Sequence, residues 1–140
     1  MRNNKVWLAF ANEDRCNHYS CLKEQGFINW RKDRNNFQIG DIVYLFSSKE
    51  RKIIFKTIVV REDQRQDNEY WYGKSPNDLT WRLEAMEEYS GDLLNEDHLK
   101  EHGFKGGRSL QHPMYNNPEL FAYIKSVFNE DYQLECLLSV

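Results

Sequence analysis

Cysteine is scarce in this chain: three residues in 140, at positions 16, 21 and 136, with no CxxC pair. That odd number, without CxxC pairs, fits a reducing compartment better than a disulfide framework. Nowhere does an apolar run approach the roughly eighteen residues a membrane-spanning helix needs. The opening MRNNKVWLAFANEDR has no apolar stretch long enough for a secretory signal. The expected localisation is cytoplasmic, with no membrane partner. With three prolines, seven glycines and no repeat or biased tract, nothing reads as a linker, and residues 1–140 are expected to form one domain. Excess positive charge is lacking too, since the net charge is −3. An affinity for nucleic acid resting on charge alone is therefore excluded.

The charge is unevenly spread. Residues 1–75 hold 14 Lys and Arg against 10 Asp and Glu, a net of +4, whereas residues 76–140 hold 5 against 12, a net of −7. A basic first half can meet phosphates while the acidic half faces away. Aromatic residues are plentiful, with four Trp, eight Tyr and eight Phe. Most of those rings must be core in a domain of this size, and a minority is left to line a site.

The most informative stretch is FQIGDIVYLFSS, Phe37 to Ser48. A Gly-Asp turn precedes a continuous apolar run, and two hydroxyls stand where the run stops. Such a run bounded by turn residues, rich in β-branched and aromatic side chains, predicts a strand buried on both faces. Elsewhere the pattern predicts strands over Val6 to Ala11, Ile42 to Phe46 and Ile53 to Val60, and another at Tyr70-Trp71-Tyr72. Residues 61–69 (REDQRQDNE) read as a turn or an exposed strand end. Leu79, Trp81, Leu83 and Ala85 alternate with polar neighbours and predict a further strand. A first helix is capped by Asn17 and closed by Gly26. Asn95 caps a short helix ending at Gly103, with Leu94 and Leu99 as a hydrophobic staple. Asn117-Pro118-Glu119 starts another helix, and Leu120, Ile124, Val127 and Phe128 give it an apolar face. Tyr132 to Val140 reads as a closing strand.

The order of these parts resembles the EVE domain of the PUA-like superfamily, whose relatives include YTH, ASCH and PUA domains. The resemblance rests on the strand KVWLAFA (Lys5 to Ala11), a helix, a loop bearing Trp30, and G-D-x-V-x-x-[FY]-x-S from Gly40 to Ser48, followed by a strand. It covers residues 5–62 best and is weaker beyond. It implies an α+β fold with a PUA-like open β-barrel, a mixed sheet flanked by several short helices. The implied function is a nucleic-acid-binding module that accepts a modified base: methylated or hydroxymethylated cytosine, or methylated adenine. In bacteria such modules look like the specificity component of modification-dependent restriction, so an effector nuclease acting in trans is a possible partner. The alternatives are an RNA-binding PUA- or ASCH-like module and a small-molecule or nucleoside-binding protein.

A base reader needs a flat ring to stack on, polar groups for the base edge and cations for flanking phosphates. Trp30 supplies the ring, and Ser47 and Ser48 supply hydroxyls at a strand end. Asn12, just past the first strand, corresponds to positions that help wall the pocket in the resembling families. Arg31, Lys32 and Arg34 form a basic loop beside Trp30. Lys105, Arg108 and Gln111 lie in the loop Gly103 to Pro113, where related EVE proteins carry a basic loop. Trp71, Trp81 and Tyr115 are all candidates for a second aromatic wall.

Other chemistry finds less support. Cys16, His18 and Cys21 lack a fourth ligand for zinc. His98 and His102 stand four apart, but HLKEH is not HExxH. No GxSxG occurs, and neither His112 nor the acidic group Glu84, Glu87, Glu88 and Asp92 has an identified substrate. The expectation is a binding module without catalysis, metal or cofactor.

Overall fold

The computed structural model describes residues 3–33, 35–106 and 111–138. Its strands are β1 (Val6–Ala11), β2 (Phe27–Arg31), β3 (Ile42–Ser47), β4 (Lys52–Gln64), β5 (Leu79–Glu88) and β6 (Gln111–Pro113). Its helices are α1 (His18–Gln25), α2 (Glu96–Glu101) and α3 (Pro118–Leu138). The strands make one mixed sheet in the order β2-β5-β4-β3-β1-β6. β1 and β3 run parallel, and the other neighbours are antiparallel. The fold is α+β. Among the described residues the sheet ends on β2 and β6, which do not pair with each other. No helix among the described residues is long and apolar enough to cross a membrane.

β3 is apolar throughout because it sits between two cores. Successive side chains of a strand point to opposite faces. Val43 and Leu45 pack with Trp7, Ala9, Ile28, Val59 and Leu83 beneath Cys21 and Leu22 of α1. Tyr44 and Phe46 pack with Leu8 and Ile53 against Leu94, Leu99 and the α3 residues Leu120 and Ile124. The Gly-Asp turn ahead of β3 is structural. Gly40 has φ +92°, and a Cβ there would lie 2.5 Å from the Asn4 amide. Asp41 is fully buried. It accepts from the Lys5 and Gln38 backbone N–H groups and from the Trp7 indole, each at 2.9 Å. One carboxylate thereby fixes the start of both β1 and β3.

The caps are where the sequence places them. The Asn17 side chain accepts from Ser20 N–H at 3.1 Å, and Gly26 takes the left-handed conformation at φ +82°. Asn95 accepts from His98 N–H at 2.9 Å, and its staple residues Leu94 and Leu99 are both buried.

Several expectations need correction. β2 is a strand paired with β5, and Trp30 lies within it and not in a loop. β4 runs on past Val60 to Gln64, its polar end held in register by Leu79 to Arg82 of β5 and bent by two bulges. Tyr70-Trp71-Tyr72 is not a strand: a 3-10 turn (Asn68–Tyr70) leads to a single bridge between Trp71 and Cys16. The closing strand expected over Tyr132 to Val140 is helix as far as the described residues run, because α3 continues through Leu138. After Pro118 no glycine or proline interrupts the chain, so nothing stops helix propagation. At 21 residues α3 is also longer than the short flanking helices expected.

Candidate functional site

A cavity of about 850 Å³ opens where the ends of β1 and β2 meet the segment following β4. Trp30 lines it from β2 and Trp71 from the turn after β4, with Phe10, Pro76 and Leu79 completing the apolar wall. Asn12, His18, Asn29, Arg65 and Asp78 supply polar groups, and Arg15, Arg31, Lys32 and Asp33 stand among the cavity's charged residues.

A buried network anchored on Asp67 ties these walls together. Asp67 is 0% exposed and takes donors from three sides. Arg65 Nη1 reaches its two oxygens at 3.1 and 3.2 Å, the Trp71 indole at 3.1 Å and Asn29 N–H at 3.4 Å. The Arg65 guanidinium also grips Asp78 with two bonds, at 2.9 and 3.2 Å, and donates to the Asn29 carbonyl at 3.3 Å. It lies 4.9 Å from the Trp71 ring. Burial alone would lower the Arg65 pKa, but the bonds to Asp78 and the charge of Asp67 outweigh it and raise the pKa above the ordinary value. Backbone bonds from Asn17 to Tyr70 and from Tyr72 to Arg15 sew the Trp71 segment to the loop between β1 and α1. Two indoles from distant parts of the chain are thus held to one frame.

His18 supplies a ring 5.9 Å from Trp30, tilted 44° to it. Burial, assisted by the positive charge of Arg65, lowers its pKa to about 4 and keeps the imidazole neutral. Asn29 is fully engaged with Thr80 at 3.1 Å and Gln66 N–H at 2.8 Å, so its amide supports the wall. Asn12 accepts from Asp14 N–H at 3.1 Å, shaping the loop that follows β1.

The structure therefore brings Asn12, Trp30, Arg31 and Lys32 to one cavity, which Trp71 also lines. Trp81 does not line it; it pairs across from Trp30 in β5, with Lys32 Nζ 4.9 Å from its ring. Ser47 and Ser48 lie elsewhere. Ser47 Oγ accepts from Glu50 N–H at 3.2 Å, and Ser48 Oγ accepts from Glu13 N–H at 2.8 Å. Both hydroxyls hold turns. Ser47 lines a second cavity of about 700 Å³ with Glu13, Tyr19, Tyr72 and Tyr89. Of the cations, Arg31 pairs with Asp33 at 2.6 Å and Lys32 pairs with Glu62. Lys105 lines a separate cavity of about 180 Å³ beside α3. Arg34 and Arg108 lie outside the described residues, as do the side chains of Gln111, His112 and Tyr115. The backbone of Gln111 pairs with Ala9 of β1.

Other groups offer little reactivity. Burial raises the Cys16 thiol to about 12 and pushes the Cys21 thiol up as well, leaving both as inert packing groups. Among the described residues no group of three His, Cys, Asp or Glu could hold a metal ion.

Sequence reasoning missed His18 as a wall residue, along with the Arg65, Asp67 and Asp78 network. The sequence offers His18 only as a metal ligand beside Cys16 and Cys21, and the network falls in charged and turn-rich stretches that resemble ordinary solvated surface.

No protein-family model and no curated protein matches the chain. Two solved structures share the fold. A hypothetical protein of Leishmania major superposes with a TM-score of 0.61 at 18% identity, covering 93% of this chain and 98% of that one. A protein of Agrobacterium tumefaciens superposes with a TM-score of 0.50 at 14% identity, covering 78% of this chain and 84% of that one.

Proposed function

We propose that this chain is a nucleic-acid-binding module that takes a modified base, drawn out of its stack, into the cavity of Trp30 and Trp71. The observation that carries the reading is the pairing of those two indoles around one cavity with Arg15, Arg31 and Lys32 among its lining. Indole faces stack on a base, polar side chains meet its edge, and cations meet the flanking phosphates. The volume lies within the range of small-ligand sites. On this reading the chain is an EVE-type member of the PUA-like superfamily, and its sheet corresponds to an open barrel. It acts in the cytoplasm without catalysis, and cleavage of marked nucleic acid falls to an effector nuclease in trans.

Phosphate contact is modest here, because Arg31 and Lys32 already face Asp33 and Glu62. Selectivity then rests on the base rather than on the backbone. The test is binding at low salt to short DNA and RNA oligonucleotides carrying plain, methylated or hydroxymethylated cytosine, or methylated adenine. Selective binding lost in both Trp30→Ala and Trp71→Ala is the expected result. Preference for one sugar, set by the 2′-hydroxyl, separates a DNA reader from an RNA reader. Equal binding of the free modified nucleoside with no salt dependence would replace this reading with a nucleoside-binding protein.

A further inference from the structure

Against Trp30 the cavity wall holds His18, and behind its ring lies a buried carboxyl that base stacking leaves unused. Glu13 lies in the loop between β1 and α1, with its side chain only 8% exposed. Its Oε2 accepts from His18 N–H at 3.1 Å, and its Oε1 is 3.9 Å from His18 Nδ1. Nδ1 is the one buried side-chain nitrogen or oxygen among the described residues without a hydrogen-bond partner. The His18 side chain keeps 12% exposure and lines the cavity, while its Nδ1 is buried. An orphaned polar atom this close to a carboxyl has a drive to close the gap, since leaving it unsatisfied is costly.

We propose that His18 reads the edge of a base stacked on Trp30, and that Glu13 sets whether His18 Nε2 presents a lone pair or an N–H. This rests on the base-binding reading of the cavity. A neutral imidazole carries one proton shared between two nitrogens. With Glu13 ionised, that proton sits on Nδ1, directed at the carboxylate, and Nε2 accepts. When the pair gains one proton from solvent, the carboxyl O–H donates to Nδ1 and the ring proton resides on Nε2, which now donates. If the added proton stays on the ring instead, Nε2 carries a proton all the same. Both placements give the same hydrogen-bond polarity at the cavity.

The change falls near neutrality. Burial raises the Glu13 carboxyl to about 7, against the pull of the His18 and Tyr19 backbone N–H groups and of Lys49, with Glu50 pushing the same way as burial. Asp14 stands beside it in the chain, and Lys52 and Glu88 share the second cavity with it. Cys16 feels the Glu13 charge from the same loop, its backbone carbonyl pulls the His18 pKa up against burial, and the Arg65 charge pushes it down. Above this range the site suits an amino edge, as in adenine or cytosine; below it, a carbonyl edge.

The test measures the full chain in two ways. Imidazole ¹⁵N shifts of His18, assigned with His18→Gln, should show the proton moving from Nδ1 to Nε2 as the pH falls from about 8.5 to about 5.5. Glu13→Gln should hold it on Nε2 throughout, because the amide donates to Nδ1. In parallel, an oligonucleotide bearing methylated adenine should bind about five- to tenfold more tightly at the alkaline end, and one bearing 5-methyluracil correspondingly more weakly. Both slopes should vanish in Glu13→Gln. A tautomer that does not change in the wild-type protein overturns the assignment, whatever binds. Trp30-dependent binding with equal pH slopes in wild type and Glu13→Gln overturns the edge reading while leaving the base pocket standing. No Trp30-dependent binding at any pH overturns the pocket and the edge reading together.

Discussion

Replacing Arg65 by Met keeps most of the side-chain stem and removes the charge at the centre of the cavity frame. The Arg65 side chain is 5% exposed and that of its partner Asp67 is 1% exposed. Met cannot donate, so Asp67 would be left ionised and buried with only the Trp71 indole and Asn29 N–H as donors. Breaking a buried pair from one side costs about 3–5 kcal/mol, because the remaining charge is uncompensated. For a chain of this length that corresponds to a fall in Tm on the order of 10 °C. The same reasoning makes the double variant Arg65→Met with Asp67→Asn more stable than the single one, since the neutral amide can still accept from the indole. Urea unfolding with a constant slope gives the comparison, and the double-mutant cycle should return a coupling of about 2 kcal/mol. A loss below about 1 kcal/mol in Arg65→Met, or a double variant no better than the single, would refute the claim that Asp67 depends on Arg65.

Three further outcomes follow from single groups. Glu13 has its pKa raised from 4.5 to about 7 by burial; its contribution is therefore full below pH 4.5 and lost as the pH rises through 7. Glu13→Gln should gain about 3 kcal/mol on wild type between pH 4.5 and pH 8 in paired urea titrations. His18 gives the opposite slope, because its folded pKa of about 4 lies below the ordinary 6.5. Stability of wild type relative to His18→Gln should fall as the pH drops from 6.5 towards 4, read by the same titrations. Asn95→Ala should cost about 1 kcal/mol by removing the cap on α2, measured as a shift in urea midpoint at unchanged slope.

Local signals carried most of the fold. Asn17, Gly26, Asn95 and Pro118 act through their own backbone and neighbours, so the elements they bound were readable in the sequence. Alternation along Leu79 to Ala85 was equally local and gave β5. The misses share a cause in long-range pairing. Residues 61–64 are polar and were open to either turn or exposed strand end, and only the register with β5 decides for strand. The short run Phe27–Arg31 becomes a strand for the same reason. At the C-terminus, the expected strand overlooked that Gln133, Leu134, Glu135 and Leu137 favour helix and that no glycine or proline ends it. The cavity was legible only in part. Asn12 was singled out because it follows β1 and Trp30 as a flat ring beside a basic stretch, and both line one cavity, whereas Ser47 and Ser48 lie apart from it because a hydroxyl before a turn more readily caps that turn than faces a ligand.

The placement of the Arg65 and Asp67 network has a reason beyond the cavity. β2 ends the sheet, and an edge strand exposes unpaired backbone groups that invite pairing with another chain. Here Asn29 N–H is taken by Asp67 and Asn29 C=O by Arg65, so side chains occupy the edge where another strand would bond. Those same side chains hold the Trp71 indole, through a hydrogen bond from its Nε1 to Asp67 and a guanidinium against its face. Sealing the edge and setting the second aromatic wall are therefore one structural act. A buried ionic cluster is a poor choice if stability alone is at stake, because apolar packing would serve as well or better. It is a good choice where two rings from distant segments must keep a fixed relation around a space left open. Trp30 extends from the strand whose edge is sealed, and Trp71 from the turn that seals it.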